Sequence, residues 1–195
     1  MDSMTTYPVR NRHWTRSEYD QLIRIGFFFG DEPIELLGGQ LIVAEPKGSQ
    51  HQTAIGLTAE ALRLAFGLGW IVRVQGPVAL DDESEPEPDI AVVPGGHRDY
   101  LAEHPARPAL LIEVAESSLA FDRRHKGSLY ARAGVADYWI VNLVDEALEV
   151  YRQPAVDRSA EFGWRYLDVQ IFRVAATVSP LSRPDVTVAV ADLLP

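Results

Sequence analysis

Apolar residues recur along this chain with two different periods, and the switches between them mark out an order of elements. Thr15, Arg16, Ser17 and Glu18 carry a capping-box pattern, which predicts a short helix running to about Ile25, with residues 27–29 packed behind it. Segments 34–37 and 41–44 flank Gly38-Gly39, the signature of a hairpin. Residues 46–50 read as a turn, with Ser49 the expected cap of a helix over 51–66. There Ile55, Ala59, Leu62 and Phe66 fall at helical spacing, and Gly67 and Gly69 end the run. Strands are expected at 70–74 and 77–80, followed by an exposed acidic, proline-bearing loop over 81–88. Further strands follow at 90–93 and 109–114, the second almost continuously apolar and therefore buried on both faces. A second long helix within 117–134 precedes paired strands at 138–141 and 148–151, joined by a turn near Asp145. Alternation in 164–174 and 186–190 predicts more antiparallel strands. The order implies an α/β fold: a mixed β-sheet flanked by helices, with extra antiparallel strands at the C-terminus.

Bulk properties narrow this picture. At 195 residues the chain suits one substantial domain spanning 1–195, its core at about 31–153, and no repeat or linker divides it. Apolar residues make up 47% and charged residues 24%, as in an ordinary soluble protein. The absence of cysteine removes disulfides, thiolate metal sites and cysteine nucleophiles. No apolar run resembles a signal peptide or spans a bilayer, so a cytoplasmic protein with no membrane partner is expected. The net charge of −10 argues against tight nonspecific nucleic-acid binding, because phosphate affinity comes mainly from lysine and arginine. A local basic face or bound metal ions can offset it.

Candidate chemistry begins at Glu113, a carboxylate set between Ala109-Leu110-Leu111-Ile112 and Val114. A buried unpaired charge is costly unless it is neutralised, paired or bound to a metal. Asp89 repeats the anomaly after Pro88, where strand 90–93 should begin. Alone, Asp89 reads better as a strand-start cap, and Glu113 equally well as an ion pair with arginine. Together, two carboxylates on neighbouring strands would repel unless a cation lies between them. Magnesium suits such a pair because it prefers oxygen ligands and retains waters, one of which can become the nucleophile. Lys126 shares a helix face with Asp122 and Tyr130, each four residues apart. Its plain reading is a solvent-exposed pair with Asp122, and its functional reading a lysine turned toward the metal.

The segments Glu87-Pro88-Asp89-Ile90-Ala91-Val92-Val93, Leu111-Ile112-Glu113-Val114 and 122–141 resemble the Uma-type family of restriction endonucleases. In the last, the telling residues are Lys126, Tyr130-Ala131, Ala133-Gly134-Val135 and Tyr138-Trp139-Ile140-Val141. That family is similar to the PD-(D/E)XK nuclease superfamily, and the likeness covers approximately 35–151. It implies a restriction-endonuclease-like fold and Mg²⁺- or Mn²⁺-dependent hydrolysis of DNA phosphodiester bonds. Asp89 and Glu113 are then the metal ligands. Position 115 is Ala, so the strand-borne lysine is missing and Lys126, on the next helix, is the candidate replacement. The resemblance also nominates Glu35, on the early hairpin, and His51, at a helix start, as members of the site. Left to themselves, Glu35 reads as a solvent-facing edge residue and His51 as a helix-start hydrogen-bonding residue. Gly38, Gln40, Ala115-Glu116 and Asn142 depart from the family pattern.

Other chemistries find less support. There is no phosphate loop, no G-x-S-x-G elbow and no histidine pair at zincin spacing. Tyr138 and Trp139 read as core. Arg123, Arg124, His125 and Lys126, with Arg132, form the dense basic cluster, either a solvated helix face or a phosphate contact. Two alternatives stay open: a catalytically inactive nuclease-fold protein kept for binding or regulation, and a hydrolase using Asp89 and Glu113 as a metal-free acid–base pair. Cutting both DNA strands needs two sites, which a homodimer would supply.

Overall fold

The computed structural model describes residues 11–28, 32–44 and 48–195. Helix α1 (Arg16–Arg24) starts as the sequence predicts: Thr15 caps Glu18, and the Glu18 side chain returns to the Thr15 backbone. Behind it Phe28 meets the Tyr19 ring, Phe27 stays largely exposed, and residue 29 lies outside the described residues. Strands β1 (Ile34–Leu37) and β2 (Gln40–Val43) form the expected hairpin, separate from the main sheet. Its turn uses Gly38 and Gly39, both at positive φ, where a side chain would be strained.

Helix α2 (Ser49–Phe66) begins two residues earlier than predicted. Gly48 is its N-cap, so Ser49 is the first helical residue and not a cap; of the turn expected over 46–50, residues 46 and 47 lie outside the described residues and Ser49 and Gln50 are helical. The predicted stripe of Ile55, Ala59, Leu62 and Phe66 is buried against the sheet.

Strands β3 (Trp70–Val74), β4 (Ile90–Pro94), β5 (Leu110–Ala115), β6 (Asp137–Asn142), β7 (Ala147–Val156) and β8 (Trp164–Arg173) form one six-stranded sheet in that order. Every neighbouring pair is antiparallel except β5 and β6, which are parallel and joined by a helical crossover. All of β5 and β6 is buried, which explains their almost continuously apolar runs. On one face α2 covers Val92, Leu110, Ile112, Trp139 and Val150; the crossover helix and β8 enclose Ala91, Leu111, Tyr138 and Ile140 on the other.

Three expectations are corrected. Residues 77–80 are not a strand, although Val78 and Ala79 are buried and hydrogen-bonded to Pro86 and Pro105. The acidic segment 81–88 is not an exposed loop: Ser84, Glu85, Pro86 and Pro88 are buried, because Glu85 bridges to Leu36 and Gly39 bonds to Glu83. Backbone groups of the β1–β2 turn need partners, and this segment supplies them. Residues 186–190 contribute only the two-residue β10 (Val188–Ala189), paired with β9 (Thr177–Val178) outside the main sheet.

The long helix predicted in 117–134 is real but not uniform. α3 (Leu119–Phe121) passes into a π-helical turn (Asp122–Lys126) and then into α4 (Gly127–Arg132). Such wider turns are uncommon and concentrate at functional sites. Among the described residues no helix is long and apolar enough to cross a membrane.

Candidate active site

Asp89 and Glu113 come together. β4 and β5 pair antiparallel with Ile90 opposite Ile112, so the next step along the ladder sets Asp89 opposite Glu113 on the same face. The two residues also lock each other's strands. The Val114 N–H donates to Asp89 Oδ2 at 2.9 Å, and the Asp89 N–H approaches Glu113 Oε2 at 3.4 Å. Pro88 donates nothing to the ladder, so pairing stops there and the Asp89 carboxylate stands at the sheet's mouth.

The other predicted residues converge on the same place. Lys126 Nζ lies 3.1 Å from Glu113 Oε1 and 3.3 Å from Glu35 Oε2. Glu35, held on β1, is buried rather than solvent-facing, and its Oε2 accepts the Glu87 N–H at 3.2 Å. His51, in the first turn of α2, puts Nε2 3.4 Å from Asp89 Oδ2, while its Nδ1 is buried with no hydrogen-bond partner. All five side chains line one open cavity of about 490 Å³.

Sequence reasoning underrated two residues, Asp122 and Tyr130. The plain reading of Asp122 and Lys126 as a solvent-exposed pair fails: both are buried, because the π-helical turn swings them together toward the cavity. Asp122 is fixed by the Ser118 hydroxyl at 2.6 Å. Tyr130, one further turn along, donates to Glu113 Oε1 at 2.6 Å. The i, i+4, i+8 spacing of Asp122, Lys126 and Tyr130 was the available signal. The dense basic cluster also dissolves. His125 and Lys126 are buried, Arg123 pairs with Glu149, and Arg132 binds Asp81 and Ser84. Arg124 alone of that group has no partner among the described residues.

The electrostatics follow from this crowding. Burial pushes Glu113 up to about 8; Lys126 pulls it down, and Asp89, Asp122 and Glu35 push it further up. Asp122 rises to about 6, again through burial first. Burial would depress Lys126, but Glu113, Glu35, Asp122 and Asp89 hold its ammonium above the ordinary range. These directions describe one cluster: the buried Lys126 ammonium lies among the carboxyl groups of Glu113, Glu35, Asp122 and Asp89. Carboxylate oxygens are the donor type that a hard divalent ion takes. Among the described residues no three His, Asp or Glu side chains form a ready metal cage, so such an ion would complete its shell with water and other oxygens, as magnesium does.

A family model described as "Putative restriction endonuclease", Uma2, matches residues 16–191. The chain belongs to the Uma2 family. The match spans the hairpin of Glu35, the strands of Asp89 and Glu113 and the helix of Lys126, and it supports a nuclease function. No curated protein matches this Uma2 chain. Among solved structures it is similar to one described as a "putative nuclease belonging to DUF820" from Anabaena variabilis. The TM-score is 0.65 at 15% identity, over 87% of this chain and 94% of that one. That likeness shows a shared fold.

Proposed function

We propose that this chain is a divalent-metal-dependent endonuclease acting on DNA phosphodiester bonds. The observation that carries the reading is the meeting of Asp89, Glu113 and Lys126 in one solvent-open cavity, from three elements far apart in sequence. Asp89 and Glu113 would hold Mg²⁺ or Mn²⁺, which when bound supplies Lewis-acid polarisation of the phosphate and a bound water of lowered pKa. Lys126 carries a fixed positive charge at the cavity wall, suited to orient the attacking water and stabilise charge growing on the phosphate. Glu35 positions Lys126, Tyr130 positions Glu113, and His51 braces Asp89; none of the three needs to touch substrate. Cleavage of both strands would take two such sites, which a symmetric pair of chains supplies. A cytoplasmic setting fits that role.

The second reading, a nuclease fold kept for binding or regulation, is favoured by one observation: the Lys126 ammonium is already matched by two carboxylates. A plasmid-nicking assay separates the readings. Metal-dependent cleavage, abolished by EDTA and by Asp89→Ala, supports the enzyme. Purified protein that never cuts supports the binding protein, and cleavage that survives EDTA returns Asp89 and Glu113 to a metal-free acid–base role.

A further inference from the structure

The crossover helix has two working sides. Asp122 and Lys126 face the acidic cavity, whereas Arg123, Arg124, Gly127 and Ser128 line a separate groove between the helix and the β7–β8 hairpin. The groove measures about 240 Å³, the scale of a single base with its phosphate rather than of a duplex. Arg165, Ser159 and the half-buried Trp164 form its opposite wall. Its lining acid, Glu161, is hydrogen-bonded to His125. Beyond the lining, Glu149 accepts from Arg123 at 2.9 Å and Asp157 lies 3.1 Å from Arg165. Arg124 is left as an exposed guanidinium with no acidic partner among the described residues. A free cation beside an aromatic wall can hold one nucleotide of a single strand by phosphate contact and base stacking.

We infer that this groove is a subsite for one nucleotide of single-stranded DNA, flanking the scissile position. The inference rests on the nuclease reading for its substrate class and on the groove alone for its location. The two basins are separated by the width of one helix, about 10 Å. At about 3.4 Å of axis per nucleotide, that places the bound nucleotide roughly three positions from the bond to be cut. Arg124 takes its phosphate and Trp164 its base. A strand threaded past both would have to be unpaired, at least locally, which makes frayed ends, flaps or single strands the favoured substrates.

The test measures binding apart from cleavage. Full-length wild type, Arg124→Ala and Trp164→Ala are titrated in EDTA against a fluorescein-labelled 12-nucleotide single strand and the matching duplex, followed by anisotropy at several salt concentrations. Trp164→Phe, which keeps an aromatic face, controls for folding together with circular dichroism. The inference expects the single strand to bind more tightly than the duplex. Arg124→Ala should weaken it roughly tenfold and reduce the salt slope by about 0.7, one phosphate contact. Trp164→Ala should weaken it roughly tenfold, and Trp164→Phe should recover most of that. Absence of single-strand binding by wild type, or equal binding by wild type and Arg124→Ala, overturns the subsite. So does loss in Trp164→Phe as deep as in Trp164→Ala. Metal-dependent cleavage with KM unchanged in Arg124→Ala sinks the subsite and leaves the nuclease intact. Groove-dependent binding by a protein that never cuts does the reverse.

Discussion

Replacing Lys126 with Met probes the charge balance of the cavity directly. Methionine keeps the length and most of the volume of the side chain, so packing changes little. The charge is another matter. At 3.1 Å from Glu113 and 3.3 Å from Glu35, each attraction is worth about 5 kcal/mol at an effective dielectric of 20. The desolvation of three buried groups offsets much of it, and breaking one side of a buried pair costs about 3–5 kcal/mol in practice. A loss of about 3 kcal/mol at pH 8 follows, which in a chain of this size lowers Tm by about 6–12 °C. The sign with pH is fixed by the carboxyls, since Lys126 itself stays charged throughout the range. Glu113 already sits above its ordinary value and moves further up without Lys126, so the folded state binds protons more readily than the unfolded one. Stability in the variant should therefore fall steeply between pH 5 and 8, with most of the loss absent at pH 5. Thermal melts at both pH values, with and without Mg²⁺, measure it, and Mg²⁺ should restore part of the pH 8 loss. A variant that melts like wild type at pH 8, or loses the same amount at both pH values, refutes the reasoning.

Further outcomes follow from other parts of the fold. Burial raises Glu85 from 4.5 to about 7, so it costs stability as pH rises through that interval; Glu85→Gln should gain about 1–3 kcal/mol at pH 8 and nothing at pH 5, and an equal shift at both would contradict this. Asp137→Ala should lose about 3–5 kcal/mol in chemical denaturation, because fully buried Asp137 accepts from Arg152, Trp139 and the Leu181 N–H, all left unmatched by alanine. Gly38→Ala should lose about 1–3 kcal/mol, since Gly38 has φ +57° and a Cβ there would fall 2.2 Å from the Phe162 ring; unchanged stability would mean that the hairpin carrying Glu35 is looser than the contacts indicate.

The elements whose pattern comes from burial were legible in the sequence. The capping box of α1, the stripe of α2 and the apolar runs of β5 and β6 are local consequences of which face is covered. The oddity of Glu113 in such a run was legible for the same reason: a carboxylate there needs a partner. What the residues alone did not show was set by tertiary contact. Segment 81–88 looked like a solvated loop because its acids and prolines say so, yet the turn of the β1–β2 hairpin needs its backbone and buries Ser84 and Glu85. Asp122 and Lys126 looked like a surface pair because regular helical spacing hides the π-helical turn that carries both inward. Glu35 and His51 entered through a family likeness, since an edge-strand glutamate and a helix-start histidine carry no local mark of burial.

The central claim is that the carboxylates of residues 89 and 113 make a seat for one divalent cation. Isothermal titration of Mn²⁺ into metal-free wild type and Asp89→Ala tests it most directly. One equivalent taken up by wild type, displaced by Mg²⁺ and absent from the variant, is the predicted result. Equal uptake by both proteins, or none by wild type, would contradict it.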